Sequence, residues 1–127
     1  MAQREIKFGY AFARFVVADG VTVATQTLAD TSIIPSGAIC LSTTVIARGV
    51  IASGGSATVQ IIAGGITMTS LIAKAKLDTI GHVVEEEVPE DAPAISDGTA
   101  IKVDIATAAL NGGSEALDII VKYILVD

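Results

Sequence analysis

His82, Cys40 and the acidic run Glu85, Glu86, Glu87, Glu90 and Asp91 are the side chains in this sequence best suited to chemistry. Metal catalysis inside a β-barrel needs several histidines and a carboxylate converging on one ion, and His82 is the only histidine. A structural zinc site needs four cysteine or histidine ligands; the chain has one of each. His82 could complete a hydrolytic triad on paper, but no Gly-x-Ser-x-Gly turn presents a serine as nucleophile. The glycine pairs Gly54-Gly55 and Gly112-Gly113 lack the Gly-Lys-Ser/Thr that completes a phosphate loop. They read instead as hairpin or loop corners that need positive φ. Calcium wants several oxygens at one point. Consecutive strand residues point to opposite sides, so Glu85, Glu86 and Glu87 do not converge on an ion. That run reads as a solvated strand end leading into a proline-bounded loop at 88–94, where it could also meet a basic partner. Cys40 sits among apolar residues as a small buried filler, and a lone cysteine forms no internal disulfide. The expectation is a protein that is not an enzyme, with no catalytic residue, no metal site and no cofactor.

Composition points the same way. The 127 residues suit one domain, 1–127. The net charge is -6 and the pI near 4.6. Nucleic-acid binders need a basic stripe to displace counterions, and anionic lipid also attracts cations, so neither nucleic acid nor membrane is an expected partner. The apolar runs are short, far from the ~20 residues that span a bilayer. Charges at Arg4, Glu5 and Lys7 interrupt any secretory signal core. Yet 51% of the residues are hydrophobic, and a small domain must show much of its surface to water. Strands that are apolar on both faces therefore imply a homo-oligomer or a larger surface to bind.

The elements that would position these residues are strands. Turn signals at 19–20, 35–37, 53–56, 64–65, 80–81, 89–93, 96–98 and 111–114 cut the chain into pieces rich in Val, Ile and Thr. The spacing predicts about eight strands, near residues 8–17, 21–28, 38–48, 57–63, 66–74, 82–88, 99–106 and 116–126. Eight short antiparallel strands suit an all-β sandwich of jelly-roll type. Segments 71–77 and 106–110 also fit short helical turns.

Two stretches stand out as candidate contact surfaces. Phe8, Tyr10, Phe12 and Phe15 are four of the five aromatics, and residues 1–15 carry about +2 (Arg4, Lys7 and Arg14 against Glu5) while the remainder carries about -8. One reading is a first strand that supplies aromatics to the core. The other is an anchoring arm at 1–8, with Arg4, Lys7, Phe8 and Tyr10 as partner contacts and Phe12 and Phe15 inside. In 116–126, Leu117, Ile119, Val121, Tyr123 and Leu125 share one face. The opposite face holds Asp118 and Lys122 but also Ile120, Ile124 and Val126. That second apolar row marks Ile120, Ile124 and Val126 as a candidate oligomer interface.

The run Ile34-Pro35-Ser36-Gly37-Ala38-Ile39, a Thr/Val strand, then Gly54-Gly55-Ser56-Ala57-Thr58-Val59 resembles small structural proteins of tailed-phage virions. The close, Asn111-Gly112-Gly113-Ser114 followed by Ile119-Ile120-Val121-Lys122-Tyr123, is also similar to theirs. After Gly65, where that family carries a Gly-Asp-rich loop, this chain has Ile66-Thr67-Met68-Thr69. The resemblance implies a capsid decoration or cement protein of the virion surface, a trimer without enzymatic activity that binds the major capsid protein, or else a head-fibre, neck or tail component. A carbohydrate-binding sandwich is the alternative from another class; it would need exposed aromatics on a sheet face.

Overall fold

The computed structural model describes residues 5–111 and 116–126. Twelve strands follow one another: β1 (Ile6–Val16), β2 (Ala24–Thr27), β3 (Asp30–Thr31), β4 (Ile33–Ile34), β5 (Ile39–Ala47), β6 (Thr58–Ala63), β7 (Ile66–Thr67), β8 (Ile72–Ala73), β9 (Val83–Glu87), β10 (Thr99–Ala100), β11 (Lys102–Ala106) and β12 (Ala116–Val126). Helical structure among the described residues is confined to single 3-10 turns at Val17–Asp19 and Lys74–Lys76. The helical alternative for 71–77 is therefore reduced to one turn after β8. At 106–110 there is no helix; Thr107 adopts a positive φ of 72° instead.

Two antiparallel sheets face one another. The first has the order β3-β1-β12-β5-β9. The second has the order β2-β11-β6-β7, with β8 also on β6. Among the longer strands, chain neighbours alternate between sheets, and the first and last lie side by side. That is the jelly-roll arrangement. The short β4 and β10 pair with each other at the side of the sandwich.

Alternation builds the core. In β1, Ala11, Ala13 and Phe15 point inward; in β12, Leu117, Ile119 and Val121 do so, all at 1% exposure or less. Val59 and Ile61 of β6 and Val103 and Ile105 of β11 answer from the second sheet. β5 keeps both Cys40 and Thr43 inward because Leu41 is an extra residue opposite the Lys122/Tyr123 step, a β-bulge that resets the parity. Two buried polar side chains are satisfied locally. Gln26 donates from Nε2 to the carbonyls of Thr22 and Ala24, each at 2.9 Å, and Thr43 Oγ1 donates to the Met68 carbonyl.

Two of the places where glycine matters are the β6–β7 corner and the space beneath Tyr123. Gly64 and Gly65 both have positive φ, 59° and 75°, and close the tight β6–β7 hairpin. Gly9 lies opposite Tyr123, and a side chain there would collide with the phenol ring that covers it. Gly54 and Gly55, expected to need positive φ, do not adopt it. Their neighbourhood is an open loop rather than a hairpin corner, and Gly112-Gly113 lies outside the described residues.

Candidate interaction face

Strand register defines the outward surface of the first sheet. Even-numbered residues of β1 point away from the core, and so do those of β12. Cross-strand rows then run Phe12–Ile120–Thr44–Glu85, Tyr10–Lys122–Ser42–Glu87 and Phe8–Ile124–Ile39, with Ile6–Val126 at one end and Arg14–Asp118–Ile46–Val83 at the other. The face is graded. It is aromatic and aliphatic on β1 and β12, hydroxylated on β5 and acidic on β9.

The apolar half is exposed. Phe8 is 64% exposed, Tyr10 65% and Ile6 60%, with Phe12, Ile39 and Val126 each at 40% or somewhat above. An aromatic side chain offers about 150–250 Å², so Phe8 and Tyr10 alone leave on the order of 250 Å² bare. The whole patch reaches roughly 600 Å², the upper end of what monomeric proteins show. Lys122 lies within it, its Nζ 5.2 Å from the centroid of the Phe8 ring, a favourable cation–π contact. The outer face of the second sheet is more polar: Thr25, Thr27, Lys102, Asp104, Gln60 and Thr67 surround a half-buried Ile62, with the exposed Val23 and Leu71 beside the starts of β2 and β8.

One end of the apolar half is closed by an ion cluster. Asp118 is 5% exposed. Arg14 donates to it from Nε at 2.6 Å and from Nη2 at 3.0 Å, and Arg48 donates from Nε at 2.9 Å. The Arg14 hydrogen bond, seconded by that of Arg48, holds the Asp118 carboxyl below the usual aspartate range against the opposing effect of its burial.

The two rims of the sheet differ as well. Phe12 donates its N–H to Ser32 Oγ at 2.7 Å and accepts from the Ser32 N–H at 2.8 Å. From Ala11 back to Ile6 no strand covers that rim of β1 among the described residues. The opposite rim is β9, whose three consecutive glutamates discourage strand addition.

These positions sort the expected contact residues. Phe8 and Tyr10 share one surface with Ile120, Ile124 and Val126, so the two candidate surfaces are a single patch. Lys7 falls on the opposite side of β1, 3.8 Å from Glu5. Arg4 lies outside the described residues. Phe12, expected inside, faces out because it has the parity of Phe8 and Tyr10, and Phe15 is the only β1 aromatic in the core. Ile6 and Ile39 were not anticipated. The alternation Ile6-Phe8-Tyr10-Phe12 carries a readable signal for Ile6, but Ile39 joins only through its pairing with Ile124.

The side chains suited to chemistry do not assemble. No group of three or more His, Cys, Asp or Glu side chains able to hold a metal occurs among the described residues. His82 is exposed. Cys40 is buried, which raises its thiol pKa and disfavours the reactive thiolate. Glu86 turns away from Glu85 and Glu87 and accepts from Ser70 N and Oγ, each at 3.0 Å. The depression between β5 and the 88–92 segment is open and is lined by Glu85, Glu87, Glu90 and Lys122.

No family model and no curated protein matches the sequence. Solved structures do. A chain of the acidic stable capsid of Helicobacter pylori bacteriophage KHP30 aligns over 98% of this chain and 97% of its own, with a TM-score of 0.57 and 14% identity. A chain of the cyanophage Pam1 capsid asymmetric unit gives 0.58 and 19% over 96% and 86%. One from the capsid of Ralstonia phage GP4 gives 0.55 and 13% over 94% and 84%. This chain shares its fold with chains of phage capsids. The likeness runs nearly end to end in all three, so it concerns the whole sandwich.

Proposed function

We propose that the chain is a non-enzymatic structural protein of a phage virion, a decoration or cement protein that binds the capsid shell as an oligomer and bridges neighbouring shell subunits. The near full-length likeness to three phage capsid chains supports a place in the virion. The observation that carries the contact role is the exposed apolar half-face of β1 and β12. An all-polar exterior would serve a free-standing domain; this one has a polar outer face on one sheet and an apolar one on the other. The first sheet therefore turns toward other protein in the virion, further copies of this chain and shell subunits between them, and the second toward solvent. Three copies per oligomer is the number the sequence resemblance implies.

Phe8, Tyr10 and Phe12 in a row would also stack sugar rings. Their neighbours Ile6, Ile120, Ile124 and Val126 are aliphatic and would leave sugar hydroxyls without partners, so a protein surface fits better than a glycan.

The test is to assemble particles with and without the chain. On this reading it co-purifies with complete particles, and particles lacking it release their genome at lower temperature. Particles of equal stability with and without it would overturn the cement role.

A further inference from the structure

We propose that the apolar half of the first sheet's outer face is covered by other copies of this same chain, which meet through Phe8, Tyr10, Phe12, Ile120 and Ile124, while the acidic β9 side and the loop after it remain for the shell. The proposal rests on the oligomeric decoration reading and divides its surface.

Area gives the first reason. A patch of roughly 600 Å² on each of two copies buries about 1,200 Å² in total, the lower bound of a specific protein–protein interface. Charge gives the second. Copies that each carry -6 repel one another, so they must meet where acidic groups are fewest. On the β1/β12 half, two guanidiniums cover Asp118 and leave that cluster one positive charge over, and Lys122 adds a second, so the charge among the described residues there is cationic rather than acidic. Glu85, Glu87 and Glu90 lie around β9 and the loop beyond it, two strands from β12, and line a depression whose near edge is Ile39 and Lys122. A basic shell partner would choose that acidic side; a like-charged copy must avoid it. Position gives the third. The patch is centred on β1, near the open rim of its sheet, rather than in mid-face. Surfaces at a rim can converge about an axis, so more than two copies can share them.

The sign of the salt effect separates this occupant from a cation-led shell contact. Contact between like-charged copies tightens as salt screens their repulsion, whereas a contact led by arginine and lysine against an acidic surface weakens.

The experiment is native mass spectrometry and sedimentation velocity on the full chain at low and high salt, with Phe8→Asp, Tyr10→Asp and, as control, Ile62→Asp on the outer face of the second sheet. Circular dichroism and melting confirm that each variant is folded. The expected result is an oligomeric wild type that tightens with salt, an unchanged Ile62→Asp, and folded Phe8→Asp and Tyr10→Asp proteins whose assembly is weaker by about 30-fold or more, the loss of one buried aromatic anchor. Should an Asp variant fail to fold, Phe8→Ser and Tyr10→Ser give the same readout with less strain. A monomeric wild type, or variants that assemble as it does, would overturn the proposal. If the wild type is monomeric and binds particles while Tyr10→Asp does not, the shell covers this face. The self-contact is then refuted and the decoration role survives.

Discussion

Replacing Asp118 by Asn should destabilise the fold at neutral pH and hardly at all in acid. Three charge-assisted hydrogen bonds of 2.6, 2.9 and 3.0 Å reach this carboxylate from Arg14 and Arg48. Such bonds contribute about 1.5–3 kcal/mol each at best. The Arg14 and Arg48 side chains are 44% and 54% exposed, so solvent screens them and they can turn to water when the carboxylate is lost. About 2 kcal/mol for the whole cluster is the discounted figure. Unfolding entropy near 2.1 cal/mol/K per residue converts that, over 127 residues, to a Tm lower by about 7 °C. Protein concentration must be held constant, because self-association would make Tm depend on it.

The pH dependence follows from the direction of the shift. The folded carboxyl is held below its unfolded value, first by the Arg14 hydrogen bond; the unfolded value is about 3.9. A depressed folded pKa stabilises the fold above the unfolded pKa, and that contribution is lost as pH falls through the folded one. The gap between wild type and Asp118→Asn should therefore be full at pH 7 and close progressively in acid below about pH 4. Melting curves of both proteins across this range read it directly. No gap at pH 7, or an undiminished gap in strong acid, would refute the reasoning.

Other changes should separate core, face and solvent side. Gly9→Ala should cost about 1–3 kcal/mol by overpacking, because the new methyl displaces the Tyr123 ring; an unchanged Tm would mean that the ring does not rest on Gly9. Phe15→Ala should cost about 3–5 kcal/mol, a large share of a typical domain's stability, and lower the Tm by about 11–19 °C in melts followed by circular dichroism. Ile62→Lys should alter Tm by no more than about 2 °C and leave particle binding intact; lost binding would place a contact on the second sheet as well.

Much of the sandwich was legible because alternation is local. β1, β5, β6, β9 and β12 fall within two residues of the expected ends, since each carries its period of two and its flanking turns within its own segment, whereas the strand expected at 99–106 breaks at Ile101 into β10 and β11. The inward row Leu117-Ile119-Val121 was readable for the same reason. The two-residue strands β3 and β4 were not, because they exist only through pairing with β1 and β10 and carry no period of their own. The site was half legible. Two apolar rows stood out, one in each terminal segment, but their fusion into one patch depends on β1 and β12 pairing in register from Ile6–Val126 to Val16–Ala116. Nothing local encodes that long-range contact. Phe12, expected inside beside Phe15, has the strand parity of Phe8 and Tyr10, and that parity puts it outside.

The central claim is that this sandwich binds and stabilises a capsid shell. The most direct measurement adds the purified chain back to particles assembled without it, then follows sedimentation and thermal genome release together. The account predicts saturable binding in a fixed ratio to shell subunits and a rise in opening temperature to that of complete particles. A chain that stays in the supernatant, or binds without raising the opening temperature, would contradict it.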